Sequence, residues 1–203
     1  MSEKSWWLED AQAITDAYPY TFYKPSNVVI SQLKPGNLVK LIFGFDSDAP
    51  EAPRAERMWV EITDLHENDF SGLLRNDPGH IHDLAFGEPL AFQACHIIAT
   101  DINDPIPSIA NKYAKRCFVT NNILYDDESV GYLYREEPEY EDDSGWRLST
   151  GMETDEYMED PDNISYVSLG AVLQVNDAIL GLLDNPPGAA FIQDDNGEFI
   201  VSD

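Results

Sequence analysis

The sequence predicts an α+β protein of two small modules, each a mainly antiparallel sheet with one or two short helices. Three observations predict this. Short runs rich in Val, Ile, Leu, Phe, Tyr and Trp are punctuated by Pro, Gly, Asn and Asp along the whole chain, the pattern of strands and turns. Helical spacing of apolar residues is confined to a few short segments. Finally, 203 residues allow one large domain or two small ones, 43% hydrophobic side chains, among them nine Phe, ten Tyr and four Trp, are enough to build a core, and Asp101–Pro107 reads as a linker between two halves.

The first module spans residues 1–100. Trp7, Leu8, Ala11, Ile14 and Tyr18 recur at three- and four-residue steps and predict a helix over 5–18 with Ser5 as its N-cap. Pro35-Gly36 is a turn signal, and strands follow at Leu38–Phe43 and Met58–Ile62, separated by a loop at Asp46–Glu56. Glu67-Asn-Asp69 turns the chain into Phe70–Leu74, Asn76–Gly79 breaks it again, and strand character resumes from Pro89 through Ile98. Residues 101–116 form a linker and short helix, with Ser108–Arg116 carrying its cations near the C-terminal end, where the helix dipole favours them.

The second module spans 117–203. Cys117–Val119, Val130–Tyr134 and Gly145–Leu148 read as strands. The uncharged run Ile164–Val175 reads as one or two buried strands, and Asn176–Leu183 has helix-like spacing. Ala190–Ile192 and Glu198–Val201 flank Asn196-Gly197, a favoured hairpin turn pair.

Thirty-eight acids against twelve Lys and Arg give a formal net charge of −26. Such a field repels phosphate backbones and anionic lipid, which argues against nucleic-acid and membrane partners, and it steers a basic protein inward. The N-terminal residues show no basic segment followed by an apolar one, so a cytoplasmic location is expected. No apolar run approaches the roughly 20 residues of a membrane span.

Chemistry-bearing patterns are weak. Cys95 and Cys117 have no metal-ligand spacing and read as free thiols. His80-x-His82 and His96 lack a third ligand fixed by spacing and read as surface histidines. Asp126–Glu128 and Glu141–Asp143 do not match a calcium loop. Ser144-Gly145 has no histidine nearby and no nucleophile elbow, and no glycine-rich phosphate loop appears. No catalytic residue, metal site or cofactor is therefore assigned, and the chain reads as a binding protein rather than an enzyme.

The acids are concentrated. Fifteen lie between Asp126 and Asp162, against Arg135 and Arg147, with Tyr132, Tyr134, Tyr140, Trp146, Met152 and Tyr157 interleaved. Aromatic anchors surrounded by charge fit a protein-binding surface. The alternative is that the aromatics face a core and the acids face water.

The same stretch carries a resemblance. Cys117–Thr120, Val130–Glu136 with Pro138, Asp143-Ser-Gly-Trp146, Gly151-Met-Glu153, Tyr157 and Asn185–Gly188 resemble immunity-protein family 33 of bacterial polymorphic toxin systems, first catalogued as domain of unknown function 2185. The resemblance covers residues 117–200. Residues 26–100 resemble a second, uncharacterised bacterial family, domain of unknown function 2314, through Met58–Glu61, Phe70–Leu74, Asn76, Pro78 and Gly87–Phe92. The first resemblance implies a protein that neutralises a toxin by direct, stoichiometric binding. Net charge suggests a basic, nuclease-like toxin. The expected contact positions are Arg135, Glu136, Asp142, Asp143, Trp146, Glu153 and Tyr157. A metal-assisted enzyme using carboxylates around Asp143 and Glu153, and a general regulatory or scaffold module, are the alternatives.

Overall fold

A computed structural model describes residues 4–47 and 53–202, so part of the expected loop at Asp46–Glu56 lies outside the described residues. The fold is α+β, with two six-stranded sheets and a few short helices, as the sequence predicts. The chain divides into two compact units, Met1–Tyr18 with Phe22–Pro107, and Pro19–Thr21 with Ser108–Asp203.

In the first unit, strands β1 (Trp6–Leu8), β2 (Leu38–Phe45), β3 (Ala55–His66), β4 (Asp69–Leu74) and β5 (Pro89–Gln93) lie in that order, and β6 (Ile97–Thr100) also pairs with β2. Alternation decides the core. Val39, Leu41 and Phe43 of β2 have no solvent access, and Met58, Val60 and Ile62 of β3 with Phe70 and Leu74 of β4 pack against them. Helix α1 covers only Ala11–Ala17, which corrects the expectation of a helix over 5–18. Trp6 pairs with Phe45 and buries its ring on Phe43, so the first aromatic residues gain more as an edge strand. The Asp10 carboxylate accepts from the Gln12 and Ala13 amides, making Asp10, not Ser5, the N-cap. Helix α2 (Asn27–Ile30) is capped by Ser26. The expected linker is held to this unit by Asp104, whose carboxylate accepts from the Ser26 amide and hydroxyl, the Tyr23 hydroxyl and the Ile106 amide.

In the second unit, β7 (Arg116–Thr120), β8 (Tyr132–Arg135), β9 (Asp143–Ser149), β10 (Ile164–Ser168), β11 (Ala190–Gln193) and β12 (Phe199–Val201) form a sheet of order β10-β7-β9-β8-β11-β12. Among the described residues, only β7 and β9 pair in parallel. Helices α3 (Ile109–Lys112), α4 (Asn121–Tyr125), α5 (Asp155–Glu159) and α6 (Leu169–Val175) complete it. Cys117, Val119, Leu133, Trp146, Leu148 and Phe191 point to one face, where Ile123 of α4 and Leu169, Val172 and Leu173 of α6 close the core.

Three local expectations are corrected here. The run Ile164–Val175 is a strand followed by a helix, because the Ser168 hydroxyl accepts from the Ala171 amide and starts α6. Asn176–Leu183 forms only a single helical turn at Leu180–Leu182. The last hairpin closes through a longer loop than a two-residue turn: Gln193 pairs with Phe199, and the Asp194 carboxylate accepts from the Asn196 and Glu198 amides.

Candidate functional site

Period-two alternation sends the other residues of the second sheet to its opposite face. In register across four strands lie Tyr166, Phe118, Arg147 and Tyr134, from β10, β7, β9 and β8. A neighbouring row holds Ser149, Tyr132, Ile192 and Ile200. The Phe118 and Tyr166 rings are 4.7 Å apart, those of Tyr132 and Tyr134 are 5.6 Å apart, and the Arg147 guanidinium lies 4.8 Å from the Phe118 ring. Stacking of this kind lets a planar guanidinium serve as floor between aromatic walls. At one end, Met158 of α5 joins Phe118, Thr120, Tyr132, Tyr134, Arg147 and Ile164 around a shallow cavity of about 290 Å³. While α4 and α6 cover the core face, these aromatics stay half-buried, and Met158, Ile192 and Ile200 are exposed.

Arg147 is fixed from beneath. Its Nη1 and Nη2 each donate to one oxygen of Asp143 at 3.0 Å, its Nε donates to Glu136 Oε2 at 3.1 Å, and Nη1 also reaches the Trp146 carbonyl. Asp143 has no solvent access and also accepts from the Gly145 and Glu139 amides. Hydrogen bonding to Arg147 is the main reason its carboxyl is lowered to about 2, against the pull of burial in the other direction. The same bond raises the Arg147 pKa further, so both charges persist through the neutral range.

That lowered carboxyl has a pH consequence. A group whose folded pKa lies below its unfolded value stabilises the fold above the unfolded pKa and loses that contribution as pH falls. For Asp143 the window runs from the ordinary carboxylate range near 3.8 down to about 2. The stability difference between the wild type and Asp143→Asn, followed by calorimetry across acid pH, is expected to be constant above this window and to shrink within it.

Gly145 makes the turn of this cluster possible. Its φ is +82°, and a Cβ there would fall 2.2 Å from the Glu136 carbonyl oxygen, which accepts no compromise from a backbone already paired. The Glu136 amide in turn donates to the Gly145 carbonyl. Gly145→Ala should therefore destabilise the second unit by roughly 2–4 kcal/mol, read by thermal unfolding, through combined backbone strain and overpacking.

The seven sequence-predicted contact residues divide unevenly. Asp143 and Trp146 are wholly buried, which corrects the expectation that they are exposed contact positions. The Trp146 indole packs on Phe191 and donates to the Leu183 carbonyl. Arg135 faces the Trp146 ring and donates to the carbonyls of Ser144 and Asn185, tying β8 to the loop before β11. One Glu153 oxygen accepts from the Thr120 hydroxyl and the Thr150 amide; burial pushes its carboxyl up, but these bonds outweigh it and hold the pKa low. Tyr157 donates to the Asn163 carbonyl across the end of α5. Glu136 and Asp142 remain exposed, Glu136 beside Arg147 and Asp142 beside Tyr166 and Arg116. They flank the aromatic row at the end away from Met158. Sequence reasoning missed Phe118, Tyr166 and Arg147; the alternation of Tyr132 with Tyr134 and of Phe118 with Thr120 was the available signal.

The remaining chemistry is sparse. Cys95 and Cys117 are free, with Cys117 buried and its thiol pushed up to about 12 by that burial. Among the described residues no three His, Cys, Asp or Glu side chains gather as a metal-binding group, and no helix is long and apolar enough to cross a membrane.

The family model of the Immunity protein Imm33 domain matches residues 117–203. No curated protein and no solved structure matches the chain. The matched segment supplies every strand of the second sheet except Arg116, the first residue of β7. An immunity-protein domain implies a toxin as its partner.

Proposed function

We propose that this protein neutralises a toxin of a bacterial polymorphic toxin system by direct, stoichiometric binding in the cytoplasm. The observation that carries the reading is the match of residues 117–203 to an immunity-protein domain. The charge supports a basic toxin. From Ser108 to Asp203 there are twenty-one acids and five cations. Four of those cations are engaged internally: Lys112 with Asp184, Arg116 with Asp142, Arg147 with Asp143 and Glu136, and Arg135 with backbone carbonyls. The unit therefore presents an almost unopposed negative field, suited to a surface built for phosphates and unsuited to nucleic acid or anionic lipid.

Binding is favoured over metal-assisted catalysis because, of the two carboxylates that such chemistry would use, Asp143 has both oxygens engaged and Glu153 has one. Asp143 accepts from Arg147 at both oxygens, and Glu153 accepts from Thr120 and Thr150. Asp143 could not ligate or activate a substrate without giving up its pairing with Arg147, and Glu153 already has one oxygen in these two bonds.

Co-expression tests the reading. A toxin domain encoded beside this chain should stop growth when expressed alone, and growth should recover when the full chain is supplied. Continued growth arrest with the chain present at equal or higher level would refute it. The basic-partner element has its own readout: association should slow markedly from low to high salt, whereas a salt-independent rate would remove it.

A further inference from the structure

We infer that the toxin is held on the open aromatic face of the second sheet, by Tyr132, Tyr134, Phe118, Tyr166 and Met158 over the Arg147 floor, and that the partner offers an apolar or aromatic projection ringed by lysine and arginine. The inference rests on the proposed immunity function and assigns it a surface.

The core side of this sheet is closed by α4 and α6, yet the opposite side leaves a contiguous set of large side chains half-buried and exposed. An antiparallel sheet commonly carries polar residues on its watered face. Here the row across four strands is Tyr166, Phe118, Arg147 and Tyr134. Rigid aromatics deliver contact area at small entropic cost, which is why they dominate binding hot spots. The cavity of about 290 Å³ between Met158 and these rings gives a projection somewhere to enter.

Charge complementarity selects the partner's rim. The exposed carboxylates of Glu136 and Asp142 flank one end of the face, and α5 at the other end carries Asp155, Glu156 and Glu159 beside Met158. Arg147, the cation in the centre, is neutralised by Asp143 and Glu136 and presents its plane rather than a free charge. A partner whose apolar centre is surrounded by basic residues meets complementary chemistry at both ends. An acidic or wholly apolar partner does not.

The test uses the full chain and the purified toxin domain against which it protects, with affinity measured by titration calorimetry. The double variant Tyr132→Ala/Tyr134→Ala should weaken binding at least about 100-fold, the loss of two central hot-spot rings. Met158→Lys alters an exposed side chain, so folding is untouched, and should weaken binding at least about tenfold by placing a like charge before a basic rim. Tyr125→Ser, an exposed ring on α4 over the other face, should bind as wild type. Wild-type affinity in the double variant and in Met158→Lys, or loss confined to Tyr125→Ser, overturns the surface while leaving the immunity function standing. Failure of the wild-type chain to bind the toxin domain overturns the function itself.

Discussion

Replacing Arg147 with alanine is expected to destabilise the second unit by roughly 3–5 kcal/mol, because it strands a buried carboxylate without its counter-charge. Asp143 has no accessible surface, and after the change only the Gly145 and Glu139 amides would remain to it. The effect should exceed that of removing a surface pair such as Arg116–Asp142, held at 3.9 Å with both side chains more than half exposed. Arg147→Lys should recover only part of the loss: it keeps the charge but cannot donate simultaneously to both Asp143 oxygens, Glu136 and the Trp146 carbonyl. Calorimetry of the full chain checks this, since unfolding of the second unit should move while that of the first is unchanged. A shift worth less than about 1 kcal/mol would mean that Asp143 reaches water or protonates once Arg147 is gone.

Trp146→Ala is the second large expected loss, roughly 3–5 kcal/mol for a fully buried indole in a packed core. The ring fills the space between Phe191 and Arg135, and its Nε1 donates to the Leu183 carbonyl at 3.3 Å. Trp146→Phe retains much of the apolar volume and removes the hydrogen bond, and should cost about 1–2 kcal/mol. The pair of variants also separates a core position from a contact position. Because the ring has no solvent access, Trp146→Phe should lower the unfolding temperature and leave toxin affinity within about threefold of wild type. A contact residue would show the reverse, with unchanged stability and weakened binding.

The strands were the readable part of the fold. β3, β4 and β8 follow from alternation, because each has one face in a core, and β2 from its apolar run, which is buried on both faces toward its end; turn residues at Pro35-Gly36, Glu67–Asp69 and Asn76–Gly79 mark several of their ends. Where both periods fit, local pattern was not enough. Trp7, Leu8 and Ala11 satisfy helical spacing, but pairing with β2 and burial of Trp6 on Phe43 decide for a strand. Leu169–Val175 is uncharged on every side and so carries no period; its helix is set by the Ser168 cap and by packing on β7 and β10, which only the tertiary fold supplies. The short helices α4 and α5, five residues each, are below the length at which periodicity speaks.

The open face of the second sheet was only partly legible in the sequence. The acidic, aromatic stretch from Asp126 to Asp162 does border the open face, and Tyr132 and Tyr134 belong to it. Yet the motif residues that suggested contact, Asp143 and Trp146, are those that the fold consumes. Asp143 and Arg147 lie four apart on one strand and so share a face, which makes their pairing readable in retrospect. That Phe118 of β7 and Tyr166 of β10 complete the row could not be read, because it depends on the parallel β7–β9 pairing and the β10 register. Such non-local registers leave no mark on neighbouring residues.

If this chain disables a toxin by occupying it one to one, the toxin's activity should fall in proportion to the chain added. The measurement is a titration of the purified chain into a fixed amount of the cognate toxin domain, with the toxin's residual activity as the readout. A linear fall to zero at one equivalent is expected, with the break blurred by Tyr132→Ala/Tyr134→Ala and kept by Tyr125→Ser. Full toxin activity at a large excess of the folded wild-type chain would contradict it.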